Sequence, residues 1–226
     1  MFLYIIMSIL LNDFIKNELK RKLFTNTNLF DEFCNLCESF TNKECHSIQD
    51  IKKYKNNKNK GILFEHFCKL YFKSLDKYKS VWLYNEFSIT EKNKLNLTKN
   101  DFGIDIICQD FNNKYYAIQC KYRKRNDKRK TCIPWRDLAT FYGQVANSGP
   151  FEKHIVITNA DYINHIGKKT NKDITINYNI LKNINNEKWK KILDIKEIAY
   201  KLSENSSNIL SNEEIIKKRL EYFNNK

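Results

Sequence analysis

Phe102-Gly103-Ile104-Asp105-Ile106-Ile107-Cys108 and Tyr115-Tyr116-Ala117-Ile118-Gln119-Cys120-Lys121-Tyr122 are the two runs that decide the fold of this chain. Both are apolar enough to be strands, yet one contains the carboxylate of Asp105 and the other contains the polar groups of Gln119 and Lys121. A strand interior excludes such groups, because burying a charge without partners costs several kcal/mol or shifts its pKa until it neutralises. Alternate residues of a strand share a face, so Gln119 and Lys121 lie on one side at about 6.8 Å spacing. The pattern predicts a functional site built on a hydrophobic sheet.

These three polar side chains suit the metal-assisted hydrolysis of a phosphodiester. A carboxylate such as Asp105 binds a hard divalent cation, and the side-chain oxygen of Gln119 adds a neutral ligand. The cation then polarises the phosphate and lowers the pKa of a bound water. The ammonium of Lys121 would hold or activate that water and offset the charge of the transition state. Since a neutral Gln weakens such a metal site, a second acid is expected nearby.

Glu65 is the candidate for this second acid, and it lies in a segment with helical periodicity. The apolar residues of the segment form one stripe at steps of three and four, namely Phe64, Phe67, Cys68, Tyr71, Phe72 and Leu75. At 100° per residue Glu65 falls on the border of that stripe, where a helix meets a sheet. The alternative is an ordinary surface ion pair with Lys69, four residues further along the helix.

The order of a helix Glu, then Gly-Ile-Asp, then Gln-Cys-Lys resembles the PD-(D/E)xK nuclease superfamily, in the Mrr-like branch that uses Gln in its last motif. Over about residues 60–160 the chain is similar to the nuclease domain that precedes a helicase in some bacterial restriction enzymes and large-virus proteins. The similarity is carried by four segments in order: 61–67, 81–87, 101–105 and 117–122. The resemblance implies a restriction-endonuclease-like fold, with Glu65, Asp105, Gln119 and Lys121 as catalytic residues. It also implies Glu65, Asp105 and Gln119 as ligands of Mg²⁺, for which Mn²⁺ may substitute.

The turn around Asn112-Asn113 constrains how the two strands pair. With a two-residue loop, Asp105 would oppose Cys120 and point to the wrong face. A three-residue loop opposes Asp105 to Lys121, and a five-residue loop opposes it to Gln119. The proposed chemistry therefore requires an odd loop or a bulge.

Composition points to a basic intracellular protein with an adequate core. The 226 residues carry a net charge of +14, with 42% hydrophobic and 14% aromatic residues, so a polyanion is the first partner to consider. A drift toward Lys, Asn and Ile, as in an AT-rich genome, explains part of this charge. Seven Cys, without a secretory signal, indicate reduced thiols in the cytoplasm, or in a nucleus or viral factory if the chain is viral.

Two features near the amino terminus have alternative interpretations. Cys34, Cys37, Cys45 and His46 offer a tetrahedral zinc site, but a helical stripe that includes Cys37 favours a small core residue instead. The apolar start at residues 1–11 is about half the ~20 residues of a membrane span. It is better explained as a packing helix, or as extra residues before a true start at Met7.

We predict an α/β fold with an αβββαβ core: a mixed central sheet flanked by helices, with extra N- and C-terminal helices. The predicted divisions are an N-terminal helical segment at 1–54, a basic linker at 55–60, a nuclease core at 61–182 and a C-terminal helical segment at 183–226. The predicted helices cover 8–24, 28–42, 61–79, 134–147, 187–202 and 211–223. The predicted strands cover 81–87, 102–108, 114–122, 153–158 and 174–180, with a loop at 90–100.

The basic run that follows Lys121 is predicted to contact phosphates rather than bases, because a flexible loop offers charge without fixed groove geometry. Its members are Arg123, Lys124, Arg125, Lys128, Arg129 and Lys130. Pro134 fits the first turn of the next helix, whose predicted core stripe is Trp135, Leu138, Tyr142 and Val145. This stripe leaves Arg136 and Gln144 outside as further DNA-binding candidates.

The sequence thus predicts a Mg²⁺-dependent endonuclease acting on double-stranded DNA, without a membrane. Two alternatives stay open: a non-catalytic DNA-binding module of the same fold, and a Holliday-junction-type resolvase. Resolvases act as dimers, so a homodimer is compatible with the last alternative. The sequence holds no phosphate-binding Gly-x-x-x-x-Gly-Lys-Ser/Thr loop, so any helicase activity would come from a separate partner.

Overall fold

The computed structural model describes residues 15–23, 25, 27–39, 56–100, 102–125, 128–164 and 170–194. For residues 56–59 it describes only the main chain. The helices are residues 15–22 (α1), Leu29–Ser39 (α2), Asn56–Lys73 (α3), Ile89–Lys94 (α4), Ala139–Asn147 (α5), Tyr178–Lys182 (α6) and Asn186–Ile192 (α7). Tyr84–Glu86 and Trp135–Leu138 form short 3₁₀ helices. The strands are Tyr78–Leu83 (β1), Ile106–Asp110 (β2), Tyr115–Lys121 (β3), Cys132–Pro134 (β4), Phe151–Thr158 (β5), Tyr162–Asn164 (β6) and Asp173–Ile176 (β7).

Five strands form one mixed sheet in the order β1-β2-β3-β5-β7. The first three strands pair antiparallel, and β3-β5 and β5-β7 pair parallel. The connection from β3 to β5 contains α5, as a parallel crossover requires. The short strands β4 and β6 pair parallel in a second, two-stranded sheet. The predicted α/β class, with a mixed sheet flanked by helices, is confirmed.

Hydrophobic side chains fill both faces of the main sheet. One face carries Ile106, Ile118 and Cys120 and packs against the buried side chains of α1, α2, α3 and α7. The opposite face carries Ile107 and Ala117 and packs against α5 and the segments around α4 and β4. Because strand residues alternate, the sheet separates a helical layer containing Glu65 from a layer containing α5. Asp105 precedes β2 and Lys121 ends β3, so both lie at the same end of this antiparallel pair.

The described part of the N-terminal segment packs on the core rather than beside it. Phe33 of α2 stacks on Phe67 of α3, with ring centroids 4.6 Å apart. Residues 56–60, predicted as linker, belong to α3, which begins at Asn56. Lys60 is only 8% exposed and forms an ion pair with Glu38 at 2.5 Å. This contact, together with the good helix propensity of Lys, extends the helix through a sequence of low complexity.

Three other segments differ from the predicted elements. Part of the expected loop at 90–100 is helical, because Ser88 caps α4 by accepting a hydrogen bond from the Glu91 N–H at 3.2 Å. The strand predicted at 174–180 ends at Ile176, and Asn177 caps α6 by accepting from the Ile180 N–H at 3.3 Å. The helix predicted at 187–202 is described only as Asn186–Ile192.

The core stripe of α5 also differs from the predicted one. Leu138, Phe141 and Val145 are buried, whereas Trp135 and Tyr142 are half-buried and stack on each other with centroids 4.7 Å apart. The segment begins as a 3₁₀ helix, whose three residues per turn rotate the stripe relative to a continuous α-helix. Phe141, not Tyr142, is therefore the core residue.

Three predictions fall partly or wholly outside the described residues: the zinc site, the apolar start and the last C-terminal helix. Cys34 and Cys37 are buried in the hydrophobic core, but Cys45 and His46 lie outside the described residues, as do the first eleven residues and the helix predicted at 211–223. Within the described part of the chain, no helix combines the length and apolar character needed to cross a membrane.

Candidate active site

Asp105 and Gln119 face each other across the antiparallel pair β2-β3. The ladder pairs Ile106 with Ile118 and closes at Gln109 and Tyr115, which leaves residues 110–114 as the connection. This is the five-residue alternative, in which Asp105 opposes Gln119. The Asp105 N–H donates to the Ile118 carbonyl at 2.9 Å, which continues the same register by one residue. Both side chains therefore project to one face at the end of β2.

The carboxylate of Asp105 is fixed by two donors from β3. Its Oδ2 accepts hydrogen bonds from the side-chain amide of Gln119 and from the Cys120 N–H. Gln119 is 2% exposed, and its Nε2 lies 3.4 Å from the Cys120 carbonyl oxygen. The carboxylate of a half-buried acid is thus held in one orientation by the neighbouring strand, as a catalytic acid requires.

Gly103 places the segment that carries Asp105 against α5. Its φ of +118° lies in the region that side-chain-bearing residues avoid. A Cβ at this position would lie 2.8 Å from the Phe141 N and 3.2 Å from the Thr140 carbonyl carbon. The Gly of the Gly-Ile-Asp motif therefore serves both the turn and the close approach of a helix.

Lys121 is the last residue of β3 and is half-buried. Its alternation with Ala117 and Gln119 places it on the face of α5. Its carbonyl accepts a hydrogen bond from the Thr158 hydroxyl at 2.6 Å. Among the described residues the Lys121 ammonium makes no ion pair, so its charge is not neutralised by a neighbouring acid.

Glu65 reaches the same region from α3. Burial raises the pKa of the Cys68 thiol, and the charges of Asp105 and Glu65 raise it further. For Cys120, burial and the adjacent Cys68 thiol raise the pKa most, and the same two carboxylates add to the effect. The charges of Glu65 and Asp105 therefore both act on one pair of buried thiols. Lys69, the alternative partner of Glu65, donates to both carboxylate oxygens of Glu86 at 2.5 Å.

The donor set fits a hard cation better than a soft one. No group of three His, Cys, Asp or Glu side chains in the described ranges is arranged to hold a metal. The oxygen of Gln119 is different: Oε1 is buried and has no hydrogen-bond partner. A buried oxygen without a donor costs free energy, which a bound cation would recover. Two carboxylates and an amide oxygen are hard ligands of the kind that Mg²⁺ takes alongside water.

The basic run contains two kinds of side chain: arginines that form ion pairs with aspartates of the protein, and side chains that are exposed to solvent. Arg123 forms an ion pair with Asp137, and its N–H donates to Asn159 Oδ1 at 2.7 Å. Arg125 pairs with Asp161 at 3.1 Å. Asp137 and Asp161 are more than ten residues away from these arginines in sequence, so the pattern of the charged run alone did not predict the ion pairs.

The remaining basic candidates are turned toward solvent. Lys124, Lys128, Arg129 and Lys130 are exposed. The side chain of Arg136 is 88% exposed and lies 3.8 Å from Asp137. Gln144, on α5, is half-buried, and its Oε1 is buried without a hydrogen-bond partner.

Thr158 and Asn159 are site neighbours that the sequence analysis missed. They end the apolar run Ile155-Val156-Ile157 of β5, directly beside Lys121. The signal was present, because polar residues at the carboxyl end of a buried parallel strand commonly border a site.

A family model and a solved structure are similar to this chain. A family model described as restriction endonuclease (Mrr_cat_2) matches residues 72–199, which is more than half of the chain and excludes Glu65. The solved structure of the ATP-dependent Type ISP restriction-modification enzyme LlaBIII bound to DNA is similar at 18% identity, with a TM-score of 0.43. That similarity covers 77% of this chain and only 11% of the other. No curated protein matches the chain.

Proposed function

This chain belongs to the restriction endonuclease family, and from that premise we propose that it is a metal-dependent endonuclease that hydrolyses phosphodiester bonds in DNA. The observation that carries the proposal is the pair of facing side chains Asp105 and Gln119. One is a fixed carboxylate, and the other holds a buried oxygen without a partner. Lys121 lies two residues further along the same face.

Glu65, Asp105 and Gln119 would hold the cation, which we propose to be Mg²⁺, with Mn²⁺ as a substitute. When bound, the cation polarises the phosphate and lowers the pKa of a bound water. Hydrogen bonds from Gln119 and the Cys120 N–H keep Asp105 oriented for this role. The pairing of β2 with β3 limits movement of Asp105 and Gln119, so little reorganisation of these two donors would accompany binding.

Lys121 supplies the positive charge of the site. We assign to its ammonium the holding of the attacking water and the stabilisation of negative charge that develops on the phosphate. The chain beyond Lys121 then presents Lys124, Lys128, Arg129 and Lys130, which would contact the phosphate backbone of double-stranded DNA. Arg136, the next exposed basic side chain after Lys130, would contact the same phosphate backbone.

The test is cleavage of plasmid, methylated and branched DNA in the presence of Mg²⁺, Mn²⁺ or EDTA. We expect cleavage with either metal and none with EDTA. Asp105→Asn should abolish cleavage and leave DNA affinity largely intact, because it removes charge but little volume. Lys121→Ala should lower turnover similarly. Binding without cleavage by the wild type in every metal would refute the proposal and favour the non-catalytic module, whereas preference for branched DNA would indicate a resolvase.

Asp110→Asn is a matched control. Asp105 directly precedes β2, whereas Asp110 is buried at the opposite end of that strand and accepts hydrogen bonds from the N–H groups of Asn112 and Lys114, both at 2.9 Å. We expect this variant to lose stability while each folded molecule cleaves normally. Equal loss of activity in Asp105→Asn and Asp110→Asn would mean that Asp105 has only a structural role.

A further inference from the structure

We propose that Thr158 and Asn159 are positioning residues that set the location of Lys121 relative to Asp105. This inference rests on the proposed nuclease function. Neither residue is assigned to the catalytic set, and both lie at the end of β5 beside the end of β3. Their role follows from hydrogen bonds to the main chain of Lys121 and Arg123.

The contacts hold the main chain at Lys121 and directly after it. The Thr158 hydroxyl donates to the Lys121 carbonyl at 2.6 Å. Two residues later, the Asn159 side chain binds both main-chain groups of Arg123: Oδ1 accepts from the N–H at 2.7 Å, and Nδ2 donates to the carbonyl at 2.7 Å. The peptide groups that follow Lys121 are therefore fixed by side chains rather than by strand pairing.

The Asn159 side chain supplies hydrogen-bond partners to the main chain where the parallel ladder ends. The pairing of β3 with β5 ends at Lys121 and Thr158, so the main chain of Arg123 has no strand partner there. The amide of Asn159 has one donor and one acceptor side by side, like a peptide group. It thereby continues the hydrogen bonding beyond the last strand pair and holds the main chain that follows Lys121.

Burial indicates that these polar groups are retained for a purpose. Thr158 and Asn159 are both 0% exposed. An aliphatic residue would fill the same positions without the desolvation cost of a buried amide or hydroxyl. The hydrogen bonds to Lys121 and Arg123 offset part of that cost, and the Thr158 hydroxyl also accepts from the Ala160 N–H at 3.0 Å. The Asn159 side chain is paired in this way only when the chain beyond β3 follows this path.

Arg125 adds a second attachment to the same segment. Its Nη1 donates to the Asn159 carbonyl at 2.9 Å, and its guanidinium carbon lies 3.4 Å from the ring centroid of Tyr178. The guanidinium also pairs with Asp161. The segment from Lys121 to Arg125 is thus tied to residues 158–161 at three points, and Lys124 is displayed between two of them.

The experiment compares Asn159→Ala and Thr158→Val with the wild type in single-turnover and steady-state cleavage of DNA with Mg²⁺. Because a misplacement of about 1 Å can cost about a hundredfold in rate, we expect kcat to fall about 10–100-fold. KM should stay within about threefold, since phosphate contacts are unchanged. Thr158→Ser keeps the hydroxyl and should restore most of kcat. Hydrogen exchange of the Arg123 amide, which needs no cleavage, should accelerate in Asn159→Ala.

Asn28→Ala is the matched control. The Asn28 side chain also bonds main chain in both directions, donating to the Lys182 carbonyl at 2.8 Å and accepting from the Asp31 N–H at 3.1 Å, but it contacts no residue of the site. It should lose stability and keep wild-type kcat. If Asn159→Ala does not fold, Thr158→Val carries the test, because the two side chains have nearly the same shape.

The outcomes separate this inference from the function on which it rests. A wild type that cleaves no DNA with any metal refutes the nuclease and this inference together. A wild type that cleaves, with Asn159→Ala and Thr158→Val at unchanged kcat, refutes the positioning role alone. An equal loss of kcat in Asn28→Ala, or no recovery in Thr158→Ser, would reduce the role to general stability and would also overturn the inference.

Discussion

Replacing Gly103 by Ala should be far more damaging than the size of one methyl group suggests. The residue has a φ of +118°, where a side chain costs about 1–3 kcal/mol of backbone strain. The added Cβ would lie 2.8 Å from the Phe141 N and 3.0 Å from its Cα, both of which belong to the rigid backbone of α5. Overpacking of this kind costs about another 1–3 kcal/mol. The sum, about 2–6 kcal/mol, is a large part of the stability of an ordinary domain.

Chemical denaturation of the wild type and Gly103→Ala measures this loss, and the melting temperature should fall by about 5–20 °C. Gly143→Ala, in the helix that Gly103 approaches, is the control: no atom lies within 4 Å of the added Cβ, and Ala stabilises a helix by about 0.5–1 kcal/mol relative to Gly. Whatever fraction of Gly103→Ala folds should cleave poorly, because Asp105 is two residues away. A variant as stable as the wild type would refute the close approach of α5.

Other substitutions separate structural from functional side chains. Arg125→Ala should lower stability by about 1–3 kcal/mol, because Asp161 loses its partner, whereas Lys124→Ala should leave unfolding unchanged and flatten the salt dependence of DNA binding by about one unit. Phe141→Ala should cost about 3–5 kcal/mol in denaturant, and Tyr142→Ala clearly less. Burial alone would raise the pKa of Asp161, but hydrogen bonds from the Thr131 N–H and from Arg125 hold its pKa below the usual aspartate value. The stabilisation is therefore complete above about pH 4 and is lost as pH falls through the lowered pKa, so Asp161→Asn should destabilise the protein at pH 7 much more than at pH 2.

The sequence predicts those parts of the molecule that depend on local pattern. Alternation alone places Gln119 and Lys121 on one face of β3, and helical periodicity places Glu65 at the border of an apolar stripe. The register of Asp105 was left open between loop lengths, because pairing depends on how the turn at residues 110–114 closes. Helical periodicity also predicted Tyr142 as a core residue, which was wrong, because the segment begins as a short 3₁₀ helix and Phe141 is buried instead.

Long-range polar partners account for most of what the sequence did not predict. The run after Lys121 was expected to be a flexible basic loop that contacts phosphates, since its own residues contain little but positive charge. Arg123 is instead anchored by Asp137 and Asn159. Both residues are too far away in sequence for a local pattern to predict these contacts. A buried Asn at the end of a strand has no distinctive local sequence pattern, because its hydrogen-bond partners belong to a segment that is distant in sequence. For Asn159 that segment is the main chain of Arg123.

The parallel pairing of β3 with β5 also bears on the order in which the protein matures on the ribosome. Asp105 and Gln119 belong to one hairpin with a five-residue connection, a contact of the kind that forms within microseconds. The groups that fix Lys121 belong to residues 158–161, which are synthesised about forty residues later, some seconds behind at ordinary elongation rates. A nascent chain would thus acquire its acidic pair before its catalytic ammonium is held in place, and hydrolytic competence would begin only with the emergence of β5.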